Sequence, residues 1–238
     1  DWNSEPNADI AESSHLWIDT NYGRASMRVL VTGFRSKEST GNASEVLVTS
    51  LMDDLPAGLA RYSENIRFSI VQDDTETIKA ELSGLLERIC PNYCVFVGQA
   101  PGRNSVCLEN FATNYRVIGA ALKTGEAPPG DMIETSGPAA YAATLPDLTG
   151  MVRQLKTAGI PAAVSYSCGN NLCNQLLYLG LHRASEFSLP MKCGFVHIPA
   201  LPEQVILQWP QHPFMPLQMT RKSIEIILNH LLMTSLFP

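Results

Sequence analysis

Cys173 is the residue of this sequence whose type and place best suit covalent chemistry. It lies in a segment, 165–182, that begins at the end of an apolar run, passes a glycine and then carries apolar residues at helical spacing. That pattern predicts a strand, a turn and a helix, with Cys173 in the first helical turn. Unpaired backbone N–H groups and the helix dipole favour a thiolate there, so Cys173 is a candidate nucleophile. The alternative interpretation is a small buried apolar residue.

Two further side chains that could take part in thiol chemistry come after predicted strands. Residues 193–198 form an apolar run that predicts a short buried strand ending at His197, and Glu109 comes after the predicted strand 93–97 and a glycine-containing loop. Strand ends are where α/β proteins build their sites. A cysteine, a histidine and a glutamate on three strand-end loops are the groups of a thiol hydrolase. Glu109 by itself could equally be a solvated surface carboxylate.

Alternating strand and helix patterns position these residues. Apolar spacing predicts strands over 27–33, 66–71, 93–97, 161–166 and 193–198, and helices over 44–55, 74–89, 148–158, 172–185 and 220–232. Ser44 is the predicted cap of the first helix. Such alternation predicts an α/β protein with a mainly parallel sheet covered by helices on both faces. Residues 114–136 lack periodicity and predict a long loop, with a hairpin or a lid as alternatives.

Composition limits the classes of protein to consider. With 238 residues, 45% of them apolar, the chain can bury one sizeable core, so a single domain is predicted over residues 27–238, preceded by a polar extension over 1–26. The formal net charge of -6 and the scattered basic residues argue against nucleic acid or a membrane surface as a partner. A cytoplasmic location is expected, with export as the alternative if Asp1 is a processed terminus.

No cofactor or metal is expected from the motifs. The six cysteines lack CxxC spacing and a second ligand pair, which argues against a zinc site. The glycine-containing loops lack the G-x-G-x-x-G pattern of dinucleotide sites. Asn42-Ala43-Ser44 is formally a glycosylation sequon, but its place before a predicted helix favours a capping role.

Short motifs spread along the chain are similar to those of pyroglutamyl peptidase type I, the pyrrolidone-carboxylate peptidases. They agree in order and spacing from about Met27 to the C-terminus and include Val29–Phe34, Gly98-Gln99-Ala100, Gly137-Pro138-Ala139-Ala140-Tyr141, Cys173-Asn174, and Gly194-Phe195-Val196-His197-Ile198-Pro199. The resemblance implies a three-layer α/β/α sandwich around a twisted, mixed sheet. It also implies that Cys173 is the nucleophile, His197 the general base and Glu109 the acidic partner of the histidine. Family members are often homo-oligomers, so self-association is a further expectation.

The substrate pocket departs from the family pattern. Phe34 matches the first of two phenylalanines that wall the family pocket, whereas Lys37 stands where the second would be, and Asn171 replaces an aromatic residue before the nucleophile. With Gln99 and Leu172, these are the substrate-binding residues that the resemblance implies. The departures predict a more polar pocket, and therefore an acyl specificity that can differ from pyroglutamyl.

The leading functional hypothesis is a cysteine hydrolase of peptides or small amides. His197 would take the thiol proton, Cys173 would attack the carbonyl of a pyroglutamyl or related small polar acyl group, and water would resolve the thioester. Backbone N–H groups at the start of the Cys173 helix would stabilise the oxyanion. Two alternatives remain open: the same machinery acting on a different acyl substrate, and a catalytically silent member that binds a ligand in the same cleft.

Overall fold

The computed structural model of the protein describes residues 27–36, 41–117 and 130–236. The predicted extension over 1–26 and the candidate pocket residue Lys37 lie outside the described residues. The described strands are β1 (Val29–Phe34), β2 (Ile66–Val71), β3 (Tyr93–Gln99), β4 (Val106–Glu109), β5 (Phe111–Thr113), β6 (Arg116–Val117), β7 (Gly130–Asp131), β8 (Ala140–Ala142), β9 (Ala162–Ser165) and β10 (Lys192–Ile198). The described helices are α1 (Ala43–Asp53), α2 (Ile78–Ile89), α3 (Leu148–Thr157), α4 (Leu172–Glu186), α5 (Pro202–Gln208) and α6 (Leu217–Leu236), with a 3-10 helix at Ala57–Tyr62.

Six strands form one mixed sheet in the order β2-β1-β3-β10-β4-β9. The neighbours β2, β1, β3 and β10 are parallel, as are β4 and β9, whereas β10 and β4 run antiparallel. The mainly parallel, mixed sheet implied by the family resemblance is therefore confirmed. The reversal between β10 and β4 matters for the site because it sets the C-terminal residue of β4 beside the middle of β10.

Helices cover both faces of the sheet, which confirms the three-layer α/β/α arrangement. Side chains alternate along the buried strands: Val95 and Val97 of β3 join one apolar cluster, whereas Cys94 and Phe96 join the other. The first cluster takes the buried stripes of α1, α3 and α6, and the second takes those of α2 and α4. The face that carries α4 is the one on which Phe195 lies, so a residue two positions further along β10 shares that face.

Local signals explain where α1 begins. Asn42 is its N-cap, and its Oδ1 accepts hydrogen bonds from Ser44 N at 2.9 Å and Ser44 Oγ at 2.7 Å. The predicted cap, Ser44, was therefore the wrong residue of the Asn-Ala-Ser motif. Its hydroxyl has a different role, because it accepts a hydrogen bond from Phe34 N at 3.0 Å and so ties the helix to the end of β1.

Several elements differ from the sequence prediction. Helix α2 begins at Ile78 rather than at residue 74, and both β4 and α5 were missed. In the predicted loop 114–136, β6 and β7 pair antiparallel, with Arg116 opposite Asp131, which confirms the hairpin interpretation for the described part. Among the described helices, none is long and apolar enough to cross a membrane.

Candidate active site

His197 and Glu109 meet through the register of the sheet. In the antiparallel pair, His197 of β10 stands opposite Cys107, and Phe195 stands opposite Glu109. Side chains two positions apart on a strand share a face, so His197 and Glu109 are diagonal neighbours on the face of α4. His197 Nδ1 lies 2.7 Å from Glu109 Oε1. Glu109 is fully buried and His197 is nearly so, and the surface-carboxylate interpretation of Glu109 is therefore wrong.

Arg103 completes this cluster, and its role was missed at the level of sequence. Its Nη1 donates to Glu109 Oε1 at 2.5 Å, and its Nη2 donates to Ser167 O at 3.1 Å. The guanidinium thus joins the buried carboxylate to the loop that precedes the α4 helix. In the sequence, Arg103 follows Gly102 shortly after the Gly98-Gln99-Ala100 motif, and nothing in that segment assigns a role to the arginine.

Interactions within the cluster lower the pKa of Glu109 and burial lowers that of His197, and both shifts suit a histidine that acts as a base. Burial acts to raise the pKa of Glu109, but the hydrogen bond and charge of His197 and the charge of Arg103 outweigh it, so the pKa lies below its ordinary value. Burial lowers the pKa of His197, and the opposing interaction with Glu109 does not restore it. The resting pair is therefore a carboxylate and a neutral imidazole. Because the carboxylate accepts, Nδ1 carries the imidazole proton and Nε2 is free to accept one.

Cys173 lies beside this pair in the first turn of α4. It is half-buried, whereas the other five cysteines are buried. Its Sγ is 2.9 Å from the place where a side chain on Gly98 would put a Cβ, and Gly98 is the partner of His197 in the pairing of β3 with β10. Glycine is needed there so that the thiol can approach the strand. No hydrogen bond joins Cys173 to His197 among the described residues, and such contacts often form only when substrate binds.

The thiol of Cys173 is protonated at rest. Burial, followed by the charges of Asp73 and Glu109, raises its pKa to about 12, although its own backbone N–H and Arg103 act in the other direction. The expectation of a resting thiolate from the helix start alone was therefore wrong. Desolvation and two nearby carboxylates outweigh the helix dipole here. Cys173 must lose its proton during reaction rather than before it.

The start of α4 offers free backbone donors next to the thiol. Among the described residues, the N–H groups of Leu172 and Asn174 have no acceptor, that of Cys173 faces only its own sulfur, and Asn171 does not cap the helix with its side chain. Unpaired N–H groups at a helix start suit a developing oxyanion. This arrangement agrees with the oxyanion donors expected from the sequence.

Two cavities share Cys173 in their lining. The first, which we call the Phe34 cavity, has a volume of about 390 Å³ and is walled by Phe34, Leu172, Asn42 and the loop 73–76. The second, the His197 cavity, has a volume of about 530 Å³ and includes His197, Arg103, Tyr166 and Ser167 in its lining. Gln99, Asn171 and Cys173 line both. The structure thus brings together with Cys173 four of the five predicted substrate-binding residues, Phe34, Leu172, Gln99 and Asn171, and the fifth, Lys37, lies outside the described residues.

Gln99 is held in one orientation by Gln204, a residue with no role predicted from the sequence. Its Oε1 accepts from Ala43 N at 2.5 Å and from Gln204 Nε2 at 2.8 Å. Gln204 is buried, and its own Oε1 accepts from Leu201 N at the start of α5. The amide oxygen of Gln99 is therefore occupied, and its Nε2 is the polar atom left to serve a substrate in the cavities it lines.

The Phe34 cavity is more acidic than the sequence analysis anticipated. Asp74 Oδ1 accepts from two backbone N–H groups of the turn before α2, and Glu76 pairs with Arg116 at 3.1 Å. Asp73 has no hydrogen-bond or ion-pair partner among the described residues, and its charge bears on the Cys173 thiol. The signal was the run Asp73-Asp74-Thr75-Glu76, which the resemblance gave no reason to place at the site. Among the described residues, no group of three or more His, Cys, Asp or Glu side chains could hold a metal ion.

Comparison with known sequences identifies related proteins over most of the chain. Residues 27–232 match the family profile described as pyroglutamyl peptidase. A pyrrolidone-carboxylate peptidase of Bacillus thuringiensis (strain Al Hakam) is 38% identical over 148 residues, which are 62% of this chain and 68% of that protein. A protein of the same name from Bacillus anthracis is similar to the same extent, 38% over 148 residues.

Comparison with solved structures gives the same group of proteins. A mutant pyrrolidone carboxyl peptidase from the hyperthermophile Pyrococcus furiosus superposes with a TM-score of 0.75 at 29% identity, covering 87% of this chain and 99% of that one. Pyroglutamyl peptidase I of Bacillus amyloliquefaciens superposes with a TM-score of 0.75 at 31% identity, covering 87% and 98%. The likeness therefore extends over most of this chain and nearly all of each solved chain.

Proposed function

The chain belongs to the pyroglutamyl peptidase family of cysteine peptidases, and on that basis we propose that it removes an N-terminal pyroglutamyl or related small polar acyl group through Cys173, His197 and Glu109. The observation that carries the proposal is the 2.7 Å contact of His197 Nδ1 with the buried Glu109 carboxylate, beside a half-buried thiol at a helix start. A histidine oriented in this way by a carboxylate is the usual partner of a protein nucleophile. Peptides or small amides are the proposed substrates.

The first half of the reaction forms a thioester. His197 Nε2 takes the proton of the Cys173 thiol as the sulfur attacks the carbonyl carbon, so the C–S bond forms while the carbonyl oxygen gains the negative charge. The free N–H groups at the start of α4 stabilise that oxyanion. Because the thiol is protonated at rest, proton transfer and attack are coupled. The protonated His197 then gives its proton to the leaving amine as the C–N bond breaks.

The second half releases the acyl group and restores the enzyme. His197 takes a proton from water as the water oxygen attacks the thioester carbonyl, and it returns a proton to the departing Cys173 sulfur. Glu109 stabilises the imidazolium that forms twice in the cycle. Hydrogen bonds from His197 and Ser165, together with the charges of His197 and Arg103, lower the pKa of Glu109 against the effect of burial and keep it ionised.

The Phe34 cavity is the proposed acyl pocket. Phe34 and Leu172 supply apolar wall for a small ring, and Gln99 Nε2 can donate to a ring carbonyl because its oxygen is already occupied. Asp73, in the lining of the same cavity, is the acceptor for a ring N–H. A flat lactam, with one carbonyl acceptor and one N–H donor, matches this combination of groups.

A second candidate, hydrolysis of a different acyl amide by the same machinery, is favoured by one observation. The unpaired Asp73 and the neighbouring acidic side chains would attract an acyl group rich in hydrogen-bond donors or carrying positive charge. The family resemblance and the triad geometry do not distinguish the two candidates. We also propose a cytoplasmic location, because all six cysteines are free thiols, as is usual in reducing compartments. Self-association remains a prediction.

The test is turnover of a panel of N-terminally blocked amides, which includes pyroglutamyl, acetyl and basic acyl groups. We expect pyroglutamyl amides to be cleaved by the wild type and not by Cys173→Ala, with Cys90→Ala as the control because Cys90 is a buried cysteine outside both cavities. Preference for a basic acyl group would instead support the second candidate. Substantial turnover by Cys173→Ala would defeat the mechanism, and binding without turnover would indicate a catalytically silent member.

A further inference from the structure

We propose that the His197 cavity holds the leaving half of the substrate, and that Tyr166 in its lining, with the ring of Phe111 packed beside it, forms an aromatic ledge that selects peptides with an aromatic or large apolar residue after the scissile bond. The proposal rests on the proposed function and adds a specificity that the family comparisons do not address. Two observations support it: His197 lines one of the two cavities and not the other, and the same cavity has an aromatic side chain in its wall.

The position of His197 decides which half of the substrate lies where. The leaving amine must receive its proton from His197, so the amine has to lie on the side from which Nε2 can reach it. Nδ1 is held by Glu109, and of the two cavities beside Cys173 His197 lines only the one with Tyr166. The acyl group then occupies the Phe34 cavity, and the chain after the scissile bond leaves through the His197 cavity.

The wall of the His197 cavity carries an exposed aromatic side chain. Tyr166 is 70% exposed, and its ring centroid lies 6.3 Å from that of Phe111, itself 39% exposed, at an angle of 33°. Large exposed aromatic rings in contact with each other and beside a catalytic group are unusual for a surface without a ligand. A third ring or a branched aliphatic side chain would cover the exposed face of Tyr166.

The sheet fixes the ledge relative to the catalytic groups. Tyr166 directly follows Ser165, the register partner of Glu109 in the pairing of β4 with β9. Phe111 lies two positions after Glu109, and Asn110 N between them donates to Ser165 O at 2.7 Å. Both rings are therefore anchored within two residues of strand positions that also hold the triad carboxylate.

The two cavities differ in the charge of their linings, and this difference supports placing the acyl group in one cavity and the leaving amine in the other. The Phe34 cavity has three carboxylates in its lining, whereas the charged side chain lining the His197 cavity, apart from the histidine, is Arg103. The guanidinium already donates to Glu109 and to Ser167 O. A basic residue after the scissile bond would meet this cation, while an apolar residue would meet the Tyr166 ring.

The experiment compares kcat/KM for pyroglutamyl-phenylalanine amide with that for pyroglutamyl-alanine amide. Aromatic contact predicts about a fivefold preference for the phenylalanine substrate in the wild type. We expect the ratio to fall to about one in Tyr166→Ala and to be retained in Tyr166→Phe, because the second variant keeps the ring. The control is Phe214→Ala, since Phe214 is also an exposed aromatic residue, at 55%, but lies outside both cavities.

The outcomes separate this inference from the proposed function. Turnover of both amides with an unchanged ratio in Tyr166→Ala, or with no preference in the wild type, would overturn the ledge. If the wild type cleaves neither amide, the proposed function fails, and a second measurement tests the ledge without turnover. Phenylalanine amide should then slow iodoacetamide alkylation of Cys173 more than alanine amide does in the wild type, and not in Tyr166→Ala. Equal protection by the two amides would overturn the inference.

Discussion

Replacing Glu109 by Gln tests the charge arrangement of the site most directly. Glutamine can still accept the hydrogen bond from His197 Nδ1, so the orientation of the ring and its tautomer are retained while the negative charge is lost. A hydrogen bond to a charged group contributes about 1.5–3 kcal/mol and one between neutral groups about 0.5–1.5 kcal/mol, so loss of the charge alone costs about 1–1.5 kcal/mol and lowers kcat/KM about 5- to 12-fold. Solvent does not screen this difference, because Glu109 is completely buried.

The pH profile distinguishes this charge effect from a structural one. In the wild type the pKa of His197 lies below 6.5, because burial outweighs the hydrogen bond and charge of Glu109, which raise it. Removing that charge leaves His197 beside Arg103, so its pKa must fall further. The acid limb of kcat/KM reports the pKa of the free base, and it should therefore move to lower pH in Glu109→Gln.

A matched variant and a clear contrary result complete the test. Glu134 is another largely buried carboxylate, paired with Lys79 at 2.5 Å and outside both cavities, so Glu134→Gln should leave the acid limb in place. Stopped-flow or steady-state rates between pH 4 and 9, with circular dichroism to check the fold, would give both quantities. An acid limb that stays in place or moves to higher pH in Glu109→Gln would refute the assignment of His197 as the base that Glu109 supports.

Three further predictions concern the thiol, its neighbour and acid stability. Asp73→Asn should lower the pKa of the Cys173 thiol, because the Asp73 charge raises it, and mass spectrometry should then show faster iodoacetamide alkylation of Cys173 at pH 8; an unchanged rate would contradict this. Gly98→Ala should cost most activity and about 1–3 kcal/mol of stability, since a Cβ would lie 2.9 Å from Sγ and 2.6 Å from a neighbouring ring, whereas Gly84→Ala in open space should cost neither. The pKa of His197 lies below its ordinary value of 6.5 and that of Glu109 below 4.5, so in acid the unfolded chain binds protons before the folded protein does. The free energy of unfolding measured in urea should therefore be highest above pH 6.5 and fall as the pH is lowered. A profile that does not change with pH would contradict both shifts.

Strong periodicity made most of the fold predictable. The apolar spacing of α4 and the apolar run around His197 correctly placed the nucleophile at a helix start and the base near a strand end. The predicted bounds of both elements lie within a residue or two of the observed ones. Strand β4 was missed because it has only four residues and ends in a glutamate, a type that is seldom buried. Its partner Arg103 lies in a loop, and nothing local indicates that the two side chains share an ion pair.

Electrostatics at the nucleophile could not be predicted from the local sequence. The helix start correctly placed Cys173, but its pKa depends on burial and on Asp73, which is 100 positions away along the chain. The orientation of Gln99 likewise depends on Gln204, which caps a short helix that begins with proline and has too few residues for a periodic pattern. The pKa of Cys173 and the orientation of Gln99 are therefore set by the assembled fold rather than by any one segment.

The antiparallel pairing of β10 with β4 is short, and it is the pairing of the sheet at this site that we expect to open first. Seven residues of β10 pair with β3, but only three pair with β4. The contact of His197 with Glu109 depends on this shorter pairing. Proteins open in cooperative units, and short strands next to a sheet edge belong to the less protected ones. Mild denaturation should therefore part the carboxylate from the imidazole while the parallel half of the sheet stays closed. Inactivation would then precede the loss of helical signal, and amides of β4 would exchange with deuterium before those of β3.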